Sequence, residues 1–363
     1  MNNLIVTISD YTNYGNRLQN YALQAMLSEY GDTTTAHHQR NTTSNKQFIK
    51  EIIRRPISAL LAHVVRKQRL LELKRYRKCL DFSKRYVPDS QFLLTDYGGL
   101  QAKKGFTYNR VIIGSDQVWN PLWMTKRDLA LRLGSFVPPD CMVISYAASF
   151  GVDSVDDGAR QLFKEYLPRF SDISVREFRG AELVEEMTGL PATVVLDPTL
   201  MIDADKWLNI TENFVPNDEK YILTYFLGKA TEEQEKSIRD YAKVHGCQIR
   251  RILDLRDPAT YIAGPQDFVE LFAKASYVFT DSYHACCFSM LFHKQFTVYN
   301  RAKGVDAPNM NSRMETIFKL FDLNHVMMDS GIAPEIEYTK VDGLLDKHRK
   351  ESKTWLDWAM KQN

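Results

Sequence analysis

Apolar and polar positions along the chain fall into short, densely apolar runs separated by polar or helix-like stretches. Runs at 4–9, 110–114, 142–146, 173–175 and 193–196 are each bounded by Gly, Pro, Asp or Ser, which predicts strands. After the first run comes a polar, Gly-containing loop through Asn16, then a helical pattern at about 18–30 that stops at Gly31. Strands that alternate with helices predict a mostly parallel sheet. The same logic restarts beyond a polar, Pro-containing stretch at 207–219. There the pattern predicts strand 221–226, helix 232–244, strand 248–252, helix 265–274, strand 277–280, a helix near His284 and strand 296–299.

The expected architecture is therefore α/β, with two Rossmann-like domains facing a cleft. The first domain is expected at 1–210, including a basic helical region at 54–85, and the second at 218–340. A last amphipathic segment, 341–363, carries Leu344, Leu345, Trp355, Leu356 and Trp358 and is expected to pack back on the first domain.

Length and composition fit this picture. A chain of 363 residues exceeds what one hydrophobic core usually supports, and 44% hydrophobic with 25% charged residues excludes wholesale disorder or a fibrous architecture. The opening apolar run is too short for a signal peptide or a spanning helix, and no other segment reaches membrane-spanning length. Cys79, Cys141, Cys247, Cys286 and Cys287 show no zinc or CxxC spacing, which fits a reducing compartment. These features predict a cytoplasmic protein, with Cys286 and Cys287 as buried thiols of a core helix.

One region departs from the average. Between 54 and 85, eleven Lys and Arg residues face only Glu72 and Asp81, a net charge of +9, with leucines and valines interleaved. This reads either as a basic amphipathic helix touching an anionic membrane or lipid-linked substrate, or as a solvated face on its own domain. Nucleic-acid motifs are absent, and nucleic acid is not an expected partner.

In open α/β sheets ligands settle beyond the carboxyl ends of strands, where loops and helix N-termini offer unpaired amides. Four segments qualify: NYGNRLQNYAL at 13–23, GSDQVWNP at 114–121, SVRE at 174–177 and TDSYHACCFSM at 280–290. Together with SYAASFG at 145–151, VLDPTL at 195–200 and YNRAK at 299–303, these blocks resemble the polysaccharide pyruvyl transferase family, in the family's order and over most of the chain. The resemblance implies a glycosyltransferase-B type fold. It also implies phosphoenolpyruvate as donor and a cyclic pyruvate ketal on a glycan or lipid-linked glycan as product, with no separate cofactor. The setting it implies is cell-surface polysaccharide assembly; with the cysteine usage and the basic region at 54–85, the expected location is the cytoplasm, peripheral at the inner face of the membrane.

Residue by residue, the family's donor-binding arginine matches Arg176 and its histidine matches His284, while a basic residue further on matches Lys303. Ser282 stands where the family often has Arg, and Tyr14-Gly15-Asn16 where the family has a Gly-Asp loop. Donor binding is thereby assigned to Arg176, Ser282, Tyr283, His284, Arg301 and Lys303, and catalysis to His284, Arg176 and Asp116. Acceptor contacts are assigned to Asn13, Tyr14, Asn16, Arg17, Gln19, Asp116, Gln117 and Asn120. A guanidinium grips a carboxylate or phosphate in a bidentate manner, and imidazole titrates near neutrality. Each residue has a plainer alternative: Arg176 in a surface salt bridge, Asp116 in an Asx turn or cap, Trp119 and Trp123 in the core, and the 13–19 residues as loop architecture. DAD at 203–205 is expected to cap a helix rather than hold a metal. The rivals to pyruvyl transfer are a nucleotide-sugar glycosyltransferase or epimerase of the same fold and a noncatalytic glycan- or membrane-binding protein. No P-loop, complete G-x-G-x-x-G or HExxH is present.

Overall fold

The computed structural model describes residues 1–8, 10, 12–39, 59–95, 106–216, 218–300 and 312–361. Seven strands make the first sheet: β1 Asn2–Val6, β2 Asp32–Gln39, β3 Asp89–Thr95, β4 Arg110–Asp116, β5 Met142–Ala148, β6 Asp172–Val175 and β7 Thr193–Val194. They run parallel in the order β3-β2-β1-β4-β5-β6-β7. The second sheet is formed by β8 Tyr221–Tyr225, β9 Gln248–Ile252, β10 Tyr277–Thr280, β11 Phe296–Tyr299 and β12 Met327–Met328, parallel in the order β12-β11-β10-β8-β9. Each sheet reverses its strand order once, between β1 and β4 in the first and between β8 and β10 in the second. Crevices for ligands form at such reversals.

Strands β4, β8, β10 and β11 are buried at every position, which is why they stand out as unbroken apolar runs. Strand β2, DTTTAHHQ, carries no such signal and was not foreseen from the pattern; its threonines suit a pleated surface without being apolar. The first helix, Tyr14–Leu27, begins within the stretch read as a loop. Asn13 caps it by accepting a hydrogen bond from the Asn16 amide, so Gly15 is helical rather than part of a tight turn.

The two lobes share one apolar core that runs from Ile5 and Ile112 to Leu223 and Val278. Tyr14 sits at the junction. Its ring stacks on Phe268 at 5.0 Å between centroids, and its hydroxyl donates to the Ala263 carbonyl at 2.8 Å. Beside it, Trp207 packs against Tyr21 and Phe288. Cys79, Cys286 and Cys287 are buried in the same core.

Two long helices strap the lobes together. The basic helix, Ala59–Tyr86, lies against the second lobe through Lys78, which pairs with Asp267 at 2.6 Å, and Arg75, which sits over the Tyr261 ring at 5.2 Å. The final helix, Tyr338–Ala359, returns to the first lobe. There Arg349 donates to the carbonyls of Leu200 and Ile202 and to Asp203, and the Ser352 hydroxyl accepts from the Leu196 amide. The Asp203 carboxylate thus pairs with Arg349 and makes no cap bond of its own, contrary to the capping expectation for DAD.

Tyr14→Phe keeps the stacked ring and leaves the Ala263 carbonyl without its partner, at a cost of about 1–2 kcal/mol. Urea unfolding is expected to show a lower midpoint with unchanged slope; an unchanged midpoint would remove this hydrogen bond from the lobe junction.

Candidate active site

Five chain segments bring ionisable side chains to one buried centre at the strand carboxyl ends. Asp116 ends β4, Arg176 directly follows β6, and Asp197 caps the short helix after β7, accepting from Thr199 N at 3.0 Å and Thr199 Oγ1 at 2.7 Å. His284 is the second residue of the helix Tyr283–Leu291, which follows β10. Arg313 enters from the helix Ser312–Phe321.

Arg176 organises this centre. Its side chain is 0% exposed, its Nη1 donates to Asp197 Oδ2 at 2.6 Å, and its Nη2 donates to Asp116 Oδ1 at 3.1 Å. The ring of Tyr283 lies beneath the guanidinium at 4.4 Å. Asp197 Oδ2 also accepts from Ser115 Oγ at 3.2 Å. The surface salt bridge weighed for Arg176 from sequence is therefore a buried one, spanning three strand ends.

His284 hangs from the same carboxylate. Its Nε2 lies 3.8 Å from Asp197 Oδ2, is buried, and makes no hydrogen bond among the described residues. The ring packs against the first helix so closely that a Cβ on Gly15 would stand 2.1 Å from His284 Nδ1. That contact, between residues 269 positions apart, explains the glycine better than any turn.

The charges set the protonation states. Burial pushes the Asp116 carboxyl up, but Arg176, His284 and Arg313 outweigh it and hold it at about 2. Asp197 is likewise held low against burial by Arg176 and His284. Burial lowers the His284 pKa, and Arg176 and Arg313 push the same way, while Asp197 and Asp116 oppose them without prevailing. Near neutral pH the imidazole is therefore held neutral.

The remaining residues assigned from sequence sort by position. Asn16 reaches Asp116, its Nδ2 donating to Oδ2 at 3.4 Å, while its Oδ1 accepts from Asp10 N and Arg17 Nη2. Arg17 also donates to the Ile8 carbonyl, and Gln19 donates to Thr7 Oγ1 and the Asn16 carbonyl; both side chains are buried and engaged with the protein itself. Asn13 serves as the helix cap, and Tyr14 as the lobe junction described above. Gln117 lies beside Asp116. With Oε1 turned to Arg313, it accepts from Nη1 at 2.9 Å and Nη2 at 3.2 Å; turned the other way, it accepts from Asn120 Nδ2 at 2.8 Å. Asn120 also caps the turn that follows. Ser282 is buried at the N-cap of the His284 helix, with no side-chain cap bond to the helix amides. Arg301 and Lys303 lie outside the described residues. Trp119 is core, packed on Phe150, Phe163 and Phe170, whereas Trp123 is half exposed.

Asp197 and Arg313 were not singled out from sequence. Asp197 sits in the quoted VLDPTL block, where Asp-Pro reads as a helix start; Arg313 lies in no block, and nothing in its local sequence marks it. Glu177 explains the rest of the SVRE block. Its Oε1 accepts from Ser149 Oγ, Phe150 N and Gly151 N, tying SVRE to SYAASFG.

A cavity of about 1150 Å³ opens nearby, at the carboxyl ends of β8 and β9. Leu227, Leu255, Tyr261, Glu235 and Arg256 line it, with Gln68 from the basic helix. Asp281 connects this cavity to the buried centre: three residues before His284, its carboxylate accepts from Leu227 N and Gly228 N, both at 2.7 Å.

A family model for polysaccharide pyruvyl transferase matches residues 13–302. No curated protein matches the chain significantly. Among solved structures, UDP-GlcNAc 2-epimerase from Neisseria meningitidis bound to UDP-GlcNAc is similar at 12% identity and a TM-score of 0.50, with 100% of each chain covered. A UDP-glucosyltransferase from Polygonum tinctorium is similar at 10% identity and a TM-score of 0.43, covering 100% of this chain and 99% of that one. The fold is two parallel-sheet α/β domains of the glycosyltransferase-B type.

A neutral, buried imidazole makes stability depend on pH with a definite sign. Because its folded pKa lies below the unfolded value, His284 costs nothing above about pH 6.5 and becomes a growing penalty below it. Asp116 contributes about 2 kcal/mol above its unfolded pKa, which is lost as pH falls from about 4 toward 2. The stability gap between the wild type and His284→Gln, measured by urea unfolding, is expected to shift against the wild type as pH falls from 7 to 5. A flat gap would mean that the ring is not held neutral.

Proposed function

The chain belongs to the polysaccharide pyruvyl transferase family, a family of transferases, and we propose that it moves pyruvate from phosphoenolpyruvate onto two hydroxyls of one sugar in a glycan or lipid-linked glycan precursor. The observation that carries this reading is the buried His284 Nε2, without a hydrogen bond and aimed at a centre built from both lobes. An imidazole nitrogen left in that state is placed to exchange a proton with a group bound beside it.

In the proposed reaction the donor anion enters beside His284 and the amides of the Tyr283–Leu291 helix, whose N-terminus Ser282 leaves without a side-chain cap. A negative charge within hydrogen-bond reach raises the imidazole pKa, so that His284 takes up a proton as the donor binds. It then delivers that proton to the donor methylene, which becomes the ketal methyl. A sugar hydroxyl attacks the resulting oxocarbenium-like carbon; its proton returns to His284. A neighbouring hydroxyl closes the ring as the carbon–oxygen bond to phosphate breaks, and that second proton leaves with phosphate. Asp116, held at about 2 and paired with Arg176, is a weak base, suited to orienting the acceptor hydroxyl by accepting its hydrogen bond.

The cavity beside β8 and β9 bears on the nucleotide-sugar rival. Glu232 and Glu235 line it and lie in the first helical turn after β8, and of its basic residues Lys229, Arg239 and Arg256 the last two pair with Glu235. Carboxylates at a helix N-terminus occupy the position a diphosphate would need. An uncharged, hydroxyl-rich glycan meets no such opposition.

The basic helix supports a peripheral membrane role through one face only. Arg75, Lys78 and Arg85 are engaged with the second lobe and its approach, whereas Lys67, Leu70, Lys74, Arg77, Asp81 and Lys84 form an exposed stripe at helical spacing that is basic on balance. Among the described residues no helix is long and apolar enough to cross a membrane.

With phosphoenolpyruvate and a panel of glycans, the protein is expected to release phosphate. His284→Gln should lower kcat at least about a hundredfold while the fold is kept. Stabilisation by a nucleotide sugar and none by phosphoenolpyruvate would favour the rival. For the stripe, Lys67→Gln, Lys74→Gln and Arg77→Gln together should weaken binding to phosphatidylserine vesicles by about a hundredfold at low salt, at about 1 kcal/mol per charge. Equal binding would leave the stripe as a solvated face.

A further inference from the structure

The cavity at the ends of β8 and β9 takes no part in the chemistry proposed at His284, yet it opens from the neighbouring strand. β8 pairs directly with β10, which leads into the His284 helix. At the end of β8, Tyr225 packs edge-on to Tyr14 at 6.0 Å, and Tyr14 precedes the glycine that lies against the His284 ring. A molecule seated in the cavity and extended along the strand ends reaches the reacting groups.

Two features that cradle a phosphate after a strand, loop amides and a helix N-terminus, are both closed here. The amides of Leu227 and Gly228 are taken by the Asp281 carboxylate, each at 2.7 Å. The helix Glu232–His245 is capped from within: Thr231 Oγ1 accepts from Gln234 N at 3.2 Å, Gln234 Oε1 accepts from Thr231 N at 2.9 Å, and glutamates fill the first turn. Cations fare no better, because Glu235 is already shared by Arg251 at 2.9 Å and Arg256 at 2.6 Å. The exposed Lys229 and Glu232 add one charge of each sign.

What the cavity does offer suits a neutral, hydroxyl-rich molecule with an apolar face. Leu227 and Leu255 line it at 49% and 41% exposure, and exposed leucines gathered in one concavity mark a binding groove, unlike leucines scattered singly over a surface. Lys229 and Glu232 supply a donor and an acceptor, and a hydroxyl answers both. The loop after β9 is preformed, since Asp254 Oδ1 accepts from Arg256 N at 2.9 Å and Asp257 Oδ2 accepts from Arg251 N at 3.0 Å. At about 1150 Å³ the cavity has room for more than one sugar ring.

We infer that this cavity is the acceptor subsite for the sugar units next to the one that receives pyruvate, and that the acceptor is an oligosaccharide whose adjoining units are uncharged. The inference rests on the transferase reading and narrows it. It also moves the acceptor to the second lobe: Arg17 and Gln19, assigned to it from sequence, are buried and bonded within the first.

Calorimetry on the full chain tests this with neutral mono- to tetrasaccharides of glucose, galactose, mannose and N-acetylglucosamine, and with UDP-GlcNAc as the anionic probe. Phosphate release from phosphoenolpyruvate is measured alongside. A tetrasaccharide is expected to bind more tightly than the monosaccharide of the same sugar. Glu232→Ala, which removes one hydrogen bond to a charged group, should weaken that binding about tenfold, and Leu255→Asp, which sets a carboxylate on the apolar face, at least as much. Both positions are exposed, and melting curves establish that both variants fold. In turnover the acceptor KM should rise while kcat and the donor KM stay within about twofold, the mark of lost ground-state binding. A wild type that binds no saccharide, or binds the monosaccharide as tightly as the tetrasaccharide, overturns the inference. So does tetrasaccharide binding that neither variant weakens, or UDP-GlcNAc binding that both abolish. If the tetrasaccharide binds through the cavity and no phosphate is released from phosphoenolpyruvate, the donor reading fails and the glycan site stands.

Discussion

Everything at the centre of this molecule depends on burying one guanidinium between two carboxylates. Arg176 joins the end of β4 to the turn after β7, with Tyr283 of the second lobe lying on its face. Taking these charges out of water costs several kcal/mol for each ion, and only full pairing with additional hydrogen bonds offsets it. Asp197 shows how completely that is done, with Thr199, Ser115 and Arg176 sharing its two oxygens. The carboxylates cannot drift, and neither can the imidazole that leans toward one of them.

This constraint shapes the chemistry available. A fixed, charge-balanced frame lets His284 stay neutral while buried, and a neutral imidazole responds to the arrival of an anion. The frame also explains why the neighbouring motif blocks are so polar yet so buried. Glu177 ties the loop after β5, Asp281 ties the loop after β8, and Ser145 and Ser174 exchange hydrogen bonds between β5 and β6. Most of the polar residues that stand out at the strand ends hold backbone in place.

The lobes meet through apolar packing as well as through this centre. Tyr14, Phe268, Trp207 and Phe288 form a junction in which the first helix of one lobe lies against helices of the other. That packing brings Gly15 against the His284 ring, so the glycine and the histidine answer one requirement from two places in the sequence. The basic helix adds a second seam, and in doing so divides its own charges between docking contacts and an exposed stripe.

Much of the architecture was legible in the residues. Unbroken apolar runs gave β1, β4, β5, β8, β10 and β11, because a strand buried on both faces has no room for polar positions. Strand β2, rich in threonine, was hidden because its side chains fit a sheet without being apolar. At the site, Arg176, His284 and Asp116 were marked by their place after strands and by family resemblance, while Asp197 and Arg313 were not picked out. The amino-acid sequence alone determined the two α/β halves and the places where loops would gather, since periodicity is a local property. Only the tertiary structure decided that Arg176 is buried between Asp116 and Asp197, that Gly15 makes room for His284 and that Arg313 arrives from the far lobe. Pairing, close approach and electric field depend on distances through space, and no local pattern along the chain encodes them.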